Sequence, residues 1–306
     1  FWHWEAMQFM LDQWNQAIDE FEAENPGVKV TMIQVPYWDY ASKTVVGYAS
    51  GAAPDLMLVS LRNQTPYRLV DQGMLLPLEP FIEQSGFDVD DFFPAVLNSF
   101  TINGRLVALP RSNAAHALFY NKDIFDQYGI MTPGDQHRSG GWDYDALLET
   151  ARRLTLDRDG DGVPDVSGIS PLRIDLAEHM LNFVMLNGGR LFSEDYSRVM
   201  VNEPEAVEAI ELMAELNRVG SAPGVGGRDA FVAGRVAIFS DWLDRFAAYG
   251  GTEDGEIALS FDWDIAPYPA NRTNVQTFEH SPSYGIVSTS RHPELTWKLL
   301  EKFVSQ

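Results

Sequence analysis

The chain has 306 residues, no cysteine, 22 basic against 44 acidic side chains, and a formal net charge of −22. Without cysteine there is no disulfide, no thiol chemistry and no cysteine-ligated metal, and the acidic excess argues against nucleic acid and anionic lipid, which require basic surface. A chain of this length buries one large core or two ordinary ones, and none of its apolar runs is long enough to span a bilayer.

The first sixty residues set out a half-strand, a helix, a strand, a helix and a strand. Met7, Met10, Leu11, Trp14, Ala17, Ile18 and Phe21 recur at helical spacing with acids and amides between them. Asn25-Pro26-Gly27 ends that helix, because proline cannot continue it and glycine takes a left-handed cap. Val28 to Val35 is predicted as a strand and Asp39 to Ser50 as a helix. Gly51 to Pro54 then turns the chain into Leu56-Met57-Leu58-Val59, an apolar run of the kind buried on both faces of a parallel sheet. Ligands of such sheets sit beyond the carboxyl ends of the strands. Here those ends carry His3, Trp4 and Glu5, then Tyr37, Trp38 and Tyr40, then Ser60, Arg62 and Asn63.

A helix is predicted near Asp91 to Phe100, followed by a hairpin at Asn103-Gly104, since Asn-Gly between short apolar runs favours a tight turn. Leu109 to Asn113 breaks the pattern before a strand at Ala115 to Tyr120. Helices follow at Tyr144 to Leu154, Leu176 to Leu186 and Pro204 to Val219. Val236 to Phe239 is a short buried strand ending at Ser240, Asp241 and Trp242. Phe261 to Pro267 and Gly285 to Ser288 are further strands, and Pro293 to Val304 is a helix with an apolar stripe. Helical periods alternating with short apolar strands define an α/β protein.

An ordered series of segments resembles family 1 of the extracellular solute-binding proteins of ABC importers, the family of maltose-binding protein. It comprises the first helix with Phe21 to Val30, then Gly51 to Asp55, Gly73 to Leu78, Gly104 to Pro110 and Leu118 to Asp123. It continues with Trp142 to Thr155, Phe231 to Phe239 and His292 to Phe303. The resemblance implies a two-lobed periplasmic-binding-protein-like fold of type II, with a ligand cleft between the lobes. The first lobe is expected at residues 1–112 plus 265–306 and the second at 113–264, with crossings near Leu109 to Asn113 and Asp264 to Ala270. It further implies export with a leader removed, a periplasmic or cell-surface lipoprotein location, an ABC permease as membrane partner, and additional helices after the segment matching Trp297 to Phe303. A monomer is expected.

Sugar rings present apolar C–H faces that stack on flat aromatic rings, and a rim of hydroxyls that need donors and acceptors. The strand-end aromatics Trp4, Tyr37, Trp38, Trp242 and Tyr284 suit such a ligand, with Glu5, Arg62, Asn63, Asn113, Asp241 and Ser283 as polar candidates. Trp38 and Trp242 are expected to face each other across the cleft, one from each lobe. Trp14, Trp142 and Trp297 read as core residues, and Glu178 with His179 either line the cleft or are plain surface, the preferred reading.

Asp157-Arg158-Asp159-Gly160-Asp161-Gly162 matches the opening of a calcium loop, with Asp165 at the ninth position. The twelfth position is Gly168, where such loops carry a bidentate glutamate. A solvent loop whose aspartates make local turns is the alternative. Calcium here would be structural and remote from the solute, and no cofactor is required.

The six histidines, at 3, 116, 137, 179, 280 and 292, include no pair at metal-ligand spacing, and neither a Gly-x-Ser-x-Gly elbow nor a phosphate loop occurs. With those motifs absent, the resemblance implies an extracytoplasmic protein that captures a carbohydrate by hinge closure, and not an enzyme. Another polar solute, such as a polyol, a sugar phosphate or a polyamine, is the alternative ligand. A carbohydrate-active enzyme using cleft carboxylates is the alternative from a different class.

Overall fold

Leu56–Val59 is buried along its whole length and lies at the centre of a five-stranded sheet. The order across that sheet is Ile33–Gln34, Trp2–His3, Leu56–Val59, Ser283–Ile286, Leu109–Pro110. The first three strands run parallel, with Trp2 in register with Ile33 and Met57. Ser283–Ile286 is antiparallel to both neighbours. These coordinates are a computed structural model that describes residues 1–5, 7–61, 66–112, 114–193, 197–250, 258–273 and 279–305.

Helix Gln8–Glu24 buries Trp14, Ala17, Ile18 and Phe21, the inner part of its predicted stripe. Trp142 and Trp297 are buried, as their reading as core residues requires. The strand predicted over Val28 to Val35 is reduced to Ile33–Gln34, an exposed edge strand. The next helix, Tyr37–Ser50, begins at Tyr37 rather than Asp39 and is closed by Gly51, whose φ of 73° supplies the left-handed cap. Asn103 and Gly104, with φ of 52° and 75°, make the predicted hairpin turn between Thr101–Ile102 and Arg105–Leu106.

A second sheet has the order Trp263–Ala266, Ala114–Asn121, Val236–Trp242, Ser167–Ile169. The first two pairings are antiparallel and the last is parallel. Alternate residues of Ala114–Asn121 enter two different cores. Leu118 and Tyr120 pack with Leu147, Phe183, Met213 and other residues of helices Tyr144–Arg153, Ala177–Leu186 and Pro204–Gly220. Phe119 packs on the other side with Ala230, Phe231 and Tyr249. Asp143 caps helix Tyr144–Arg153 by accepting the Ala146 N–H at 2.9 Å. That helix lies so close to Ser167–Ile169 that a Cβ on Gly168 would come within 1.9 Å of the Ala151 carbonyl oxygen.

The chain divides into two compact units, residues 1–113 with 280–306 and residues 114–279. The return to the first unit lies later than the expected boundary at residue 265. Trp263–Ala266 is an edge strand of the second sheet, and Tyr268 is buried in the core of the second unit. Trp142 Nε1 donates to the Pro267 carbonyl, Asn271 donates to Asn187, and the Thr273 hydroxyl donates to the Met185 carbonyl. These bonds hold the segment on the second unit well past Ala270.

Candidate functional site

In the first unit the carboxyl end of Trp2–His3 delivers Trp4 and Glu5. Trp4 stands edge-on to Tyr40 at 4.7 Å and to Tyr37 at 5.7 Å, and Tyr37 stands edge-on to Trp38 at 5.2 Å. The result is a ladder of T-shaped aromatic contacts, a favoured geometry for π-systems, that leads from the core to solvent. Its inner end is fixed. Tyr40 is fully buried, its hydroxyl donates to the Trp2 carbonyl at 2.8 Å, and it accepts the Leu58 N–H at 3.0 Å. Burial pushes its phenol far above the ordinary tyrosine range. Its outer end is open, with Trp38 81% exposed.

Glu5 is not a solvated polar group at this end. Its carboxylate accepts from Arg111 at 3.1 Å and from the Met7 N–H at 3.1 Å, and both Glu5 and Arg111 are almost wholly buried. The Arg111 guanidinium also lies over the Trp14 ring, 5.5 Å from its centroid. Burial holds His3 below the ordinary histidine value, against the raising influence of neighbouring Glu5.

Two candidates from the sequence lie in the core of this unit. Ser283–Ile286 is an inner strand, buried throughout. Tyr284 therefore points into the core, where its hydroxyl accepts the Trp14 indole N–H at 2.6 Å and its ring packs against Phe303. Ser283 is fully buried, with its hydroxyl donated to the Ser281 carbonyl. Arg62, Asn63 and Asn113 lie outside the described residues.

In the second unit the strand predicted to stop at Phe239 runs on to Trp242. Ser240, Asp241 and Trp242 are therefore strand residues and alternate between faces. Trp242 is only 9% exposed and packs edge-on, at 4.1 Å, against its cross-strand partner His116. It is not the open platform expected of it. Asp241 turns to the opposite face, where its carboxylate accepts from Arg228 at 3.0 Å and from the Tyr249 hydroxyl at 2.6 Å. Burial opposes the Arg228 charge, but Asp241 and Tyr249 together outweigh it and raise the pKa.

A buried polar cluster occupies the Ser240–Trp242 face. His116 Nδ1 lies 2.8 Å from the Ser240 hydroxyl and 3.3 Å from the Tyr268 hydroxyl, and Ser240 and Tyr268 are themselves hydrogen-bonded. His179 stands edge-on to His116 at 6.1 Å. Its Nδ1 accepts the Arg173 N–H at 2.9 Å, which assigns its proton to Nε2. Asn182 is buried and donates to the Glu178 carbonyl at 2.6 Å. Glu178 is 3% exposed, which corrects its reading as surface. It stands in the first turn of helix Ala177–Leu186.

Arg111, His116 and Tyr268 were not singled out by sequence. The only signals for them are the strand break after Pro110, the alternation of Ala114–Asn121, and the tyrosine that follows Trp263–Ala266.

The acidic loop gathers Asp157, Asp159 and Asp165, each with a carboxylate oxygen within 4.8 Å of the others. Asp161 is not in that group, and its carboxylate accepts the Val163 N–H at 2.7 Å. Asp157 accepts the N–H groups of Gly162 and Gly160, which hold its carboxyl below the usual carboxylate range.

Two α/β units, each with a polar and aromatic cluster at strand ends, have the fold of the two-lobed periplasmic solute-binding proteins of the maltose-binding-protein type. The chain belongs to the bacterial extracellular solute-binding protein family, whose pattern it matches over residues 10–306. A binding protein of Brucella abortus is 24% identical over 291 residues, covering 92% of this chain and 66% of its own length, so the chain spans just under two thirds of that relative. The ABC substrate-binding protein of Listeria monocytogenes in complex with cycloalternan has 24% identity and a TM-score of 0.82, covering 99% of this chain and 74% of the other. UgpB from Mycobacterium tuberculosis in complex with glycerophosphocholine has 19% identity and a TM-score of 0.82, covering 100% of this chain and 74% of the other. The likeness to these two structures is one of fold. Among the described residues no helix is long and apolar enough to cross a membrane.

Proposed function

We propose that this chain is the solute-capturing part of an ABC importer and that its solute is a carbohydrate, a sugar or an oligosaccharide. The observation that carries this reading is the aromatic ladder ending in Trp38, a large exposed indole anchored to the core through Tyr37, Trp4 and Tyr40. A flat, exposed ring in the first unit suits the apolar C–H faces of a sugar, and the hydroxyl and imidazole groups clustered in the second unit suit its hydroxyls. In the second unit the hydroxyls are those of Ser240 and Tyr268, and the ring donors and acceptors are His116 and His179.

A solute that engages both units favours the state in which both can reach it, so hinge closure follows from ordinary population shift. The ligand is released unchanged to a permease, from a periplasmic or surface-anchored protein that acts as a monomer and performs no catalysis. Asp157, Asp159 and Asp165 together offer hard oxygen ligands for a structural calcium ion, with Asp161 serving the loop's own backbone.

A thermal-shift screen against mono- and oligosaccharides tests the central reading, because a ligand that binds only the folded state raises its melting temperature. Carbohydrate hits without consumption of the sugar are expected. A screen in which only amines or peptides stabilise the protein contradicts the reading.

A further inference from the structure

We propose that Asn103 is a modification site: in the folded protein it exchanges its side-chain amide with water and becomes an aspartyl or isoaspartyl residue in the hairpin turn. The reaction requires only water and the two residues of that turn, and no solute takes part in it.

The sequence contains two Asn-Gly pairs, Asn103-Gly104 and Asn187-Gly188. In such a pair the glycine backbone nitrogen can attack the asparagine Cγ, because the reacting groups belong to neighbouring residues and glycine has no Cβ to obstruct them. The new N–Cγ bond closes a succinimide ring, and the proton of the nitrogen leaves with the side-chain amide as ammonia. Water then opens the ring at either carbonyl. One opening gives aspartate, and the other gives isoaspartate, whose main chain runs through the side-chain carbon. One water is consumed and one ammonia released, with no change of oxidation state.

The two pairs stand in opposite surroundings. Asn103 and Gly104 are exposed at the turn between Thr101–Ile102 and Arg105–Leu106. Among the described residues, neither the Asn103 amide nor the Gly104 N–H takes part in a hydrogen bond. A Cβ added to Gly104 would meet no atom within 4 Å, so the space around the turn is open. Asn103 is also the only non-glycine residue with a positive φ among the described residues, at 52°. That backbone state is costly for an L-residue, and ring closure takes the residue out of it.

Asn187 is buried. Its amide nitrogen donates to the Glu205 carbonyl at 2.7 Å and to the Glu208 carboxylate at 3.0 Å, and its oxygen accepts from Asn271 at 2.6 Å. The Gly188 N–H, the nucleophile of that pair, donates to the Met185 carbonyl at 2.9 Å. Both reacting groups are thus held by hydrogen bonds that the Asn103 turn lacks.

Conversion at the turn reaches the core of the first unit. Ile102 and Leu106 are buried, the Leu106 N–H donates to the Glu79 carboxylate at 2.6 Å, and the Leu106 carbonyl accepts the Leu78 N–H at 2.8 Å. Isoaspartate lengthens the main chain of a two-residue turn by one atom, and the length of such a turn fixes the register of its strands. Either product also adds a carboxylate to the stretch between Arg68 and Arg105, which holds six acids and no lysine, arginine or histidine.

Incubation of the intact chain in mildly alkaline buffer, followed by peptide mapping with mass spectrometry, tests this. The peptide with Asn103 is expected to gain the mass of an amide turned acid at least about tenfold faster than the peptide with Asn187, since breaking one or two hydrogen bonds slows the buried pair by that factor. The Asp-Gly pairs of the acidic loop can close the same ring, but they lose and regain water and so change neither mass nor charge. The incubated parent is expected to melt at a lower temperature than the fresh protein. Asn103→Gly, which keeps a residue suited to the left-handed turn, is expected to hold its melting temperature. An Asn103 peptide that stays unchanged while the free peptide of residues 99–108 converts by half overturns the proposal. So does conversion at Asn187 that matches or exceeds conversion at Asn103. An equal fall in melting temperature in parent and Asn103→Gly overturns the link from the turn to the core.

Discussion

Arg111 donates to the Glu5 carboxylate at 3.1 Å in a place where both side chains are more than nine-tenths buried. Removing one partner leaves a buried charge uncompensated, whereas replacing both leaves none. Arg111→Met should therefore cost about 3–5 kcal/mol of stability, and the double variant Glu5→Gln with Arg111→Met should recover a large part of that loss. Denaturant titrations of the four proteins in the cycle measure it. Additive losses would show that the two side chains do not act as a pair.

Trp14 and Trp38 should separate stability from binding. Trp14→Ala opens a core cavity and should cost about 3–5 kcal/mol. Tyr284→Phe, which strands the buried Trp14 N–H, should cost about 1–3 kcal/mol. Trp38→Ala should leave folding within about 0.5 kcal/mol of the parent, as exposed substitutions do. It should nonetheless weaken sugar binding by about 1–3 kcal/mol, the scale of stacking on a flat ring. Melting curves and calorimetry on the same three variants decide between these effects.

His3 sets a pH dependence. Burial depresses its pKa in the folded protein, so the unfolded chain takes up the proton first as pH falls. The associated stability is complete above the unfolded value of about 6.5 and is lost as pH falls from there through the folded value. Melting temperature should therefore decline from pH 7 toward pH 5, and His3→Gln should flatten that part of the profile. A variant profile parallel to the parent's would assign the decline to other groups.

The acidic loop supplies a metal test. If calcium sits among Asp157, Asp159 and Asp165, chelation should lower the melting temperature and leave sugar affinity nearly unchanged. Asp157→Asn should abolish the effect of chelation. The same melting temperature with and without chelator in the parent protein counts against the ion.

The hairpin at Asn103-Gly104, the Leu56–Val59 strand and helix Pro293–Val304 were legible because a short stretch of sequence determines each of them. The strand over Val28 to Val35 was overread. Its alternation is real, but the segment is an edge whose strand register with Trp2–His3 covers Ile33 and Gln34. The site was legible as strand ends but not as orientations. A strand longer by three residues carried Trp242 into a buried contact with His116 and turned Asp241 to the other face. Tyr284 was misplaced for a related reason, since only the tertiary order makes Ser283–Ile286 an inner strand. Glu178 looked like surface because an acid in a helical first turn usually is, and burial by the rest of the unit is a long-range property.

The protein is proposed to bind a carbohydrate and return it unaltered. Isothermal titration of the parent and Trp38→Ala with the best saccharide of the thermal screen, followed by chromatography of the recovered sugar, tests it most directly. Saturable binding in the parent, binding weaker by about 1–3 kcal/mol in Trp38→Ala, and intact sugar after incubation are the predicted results. Equal affinity in both proteins, or a cleaved sugar, would rule out carbohydrate capture at Trp38 without catalysis.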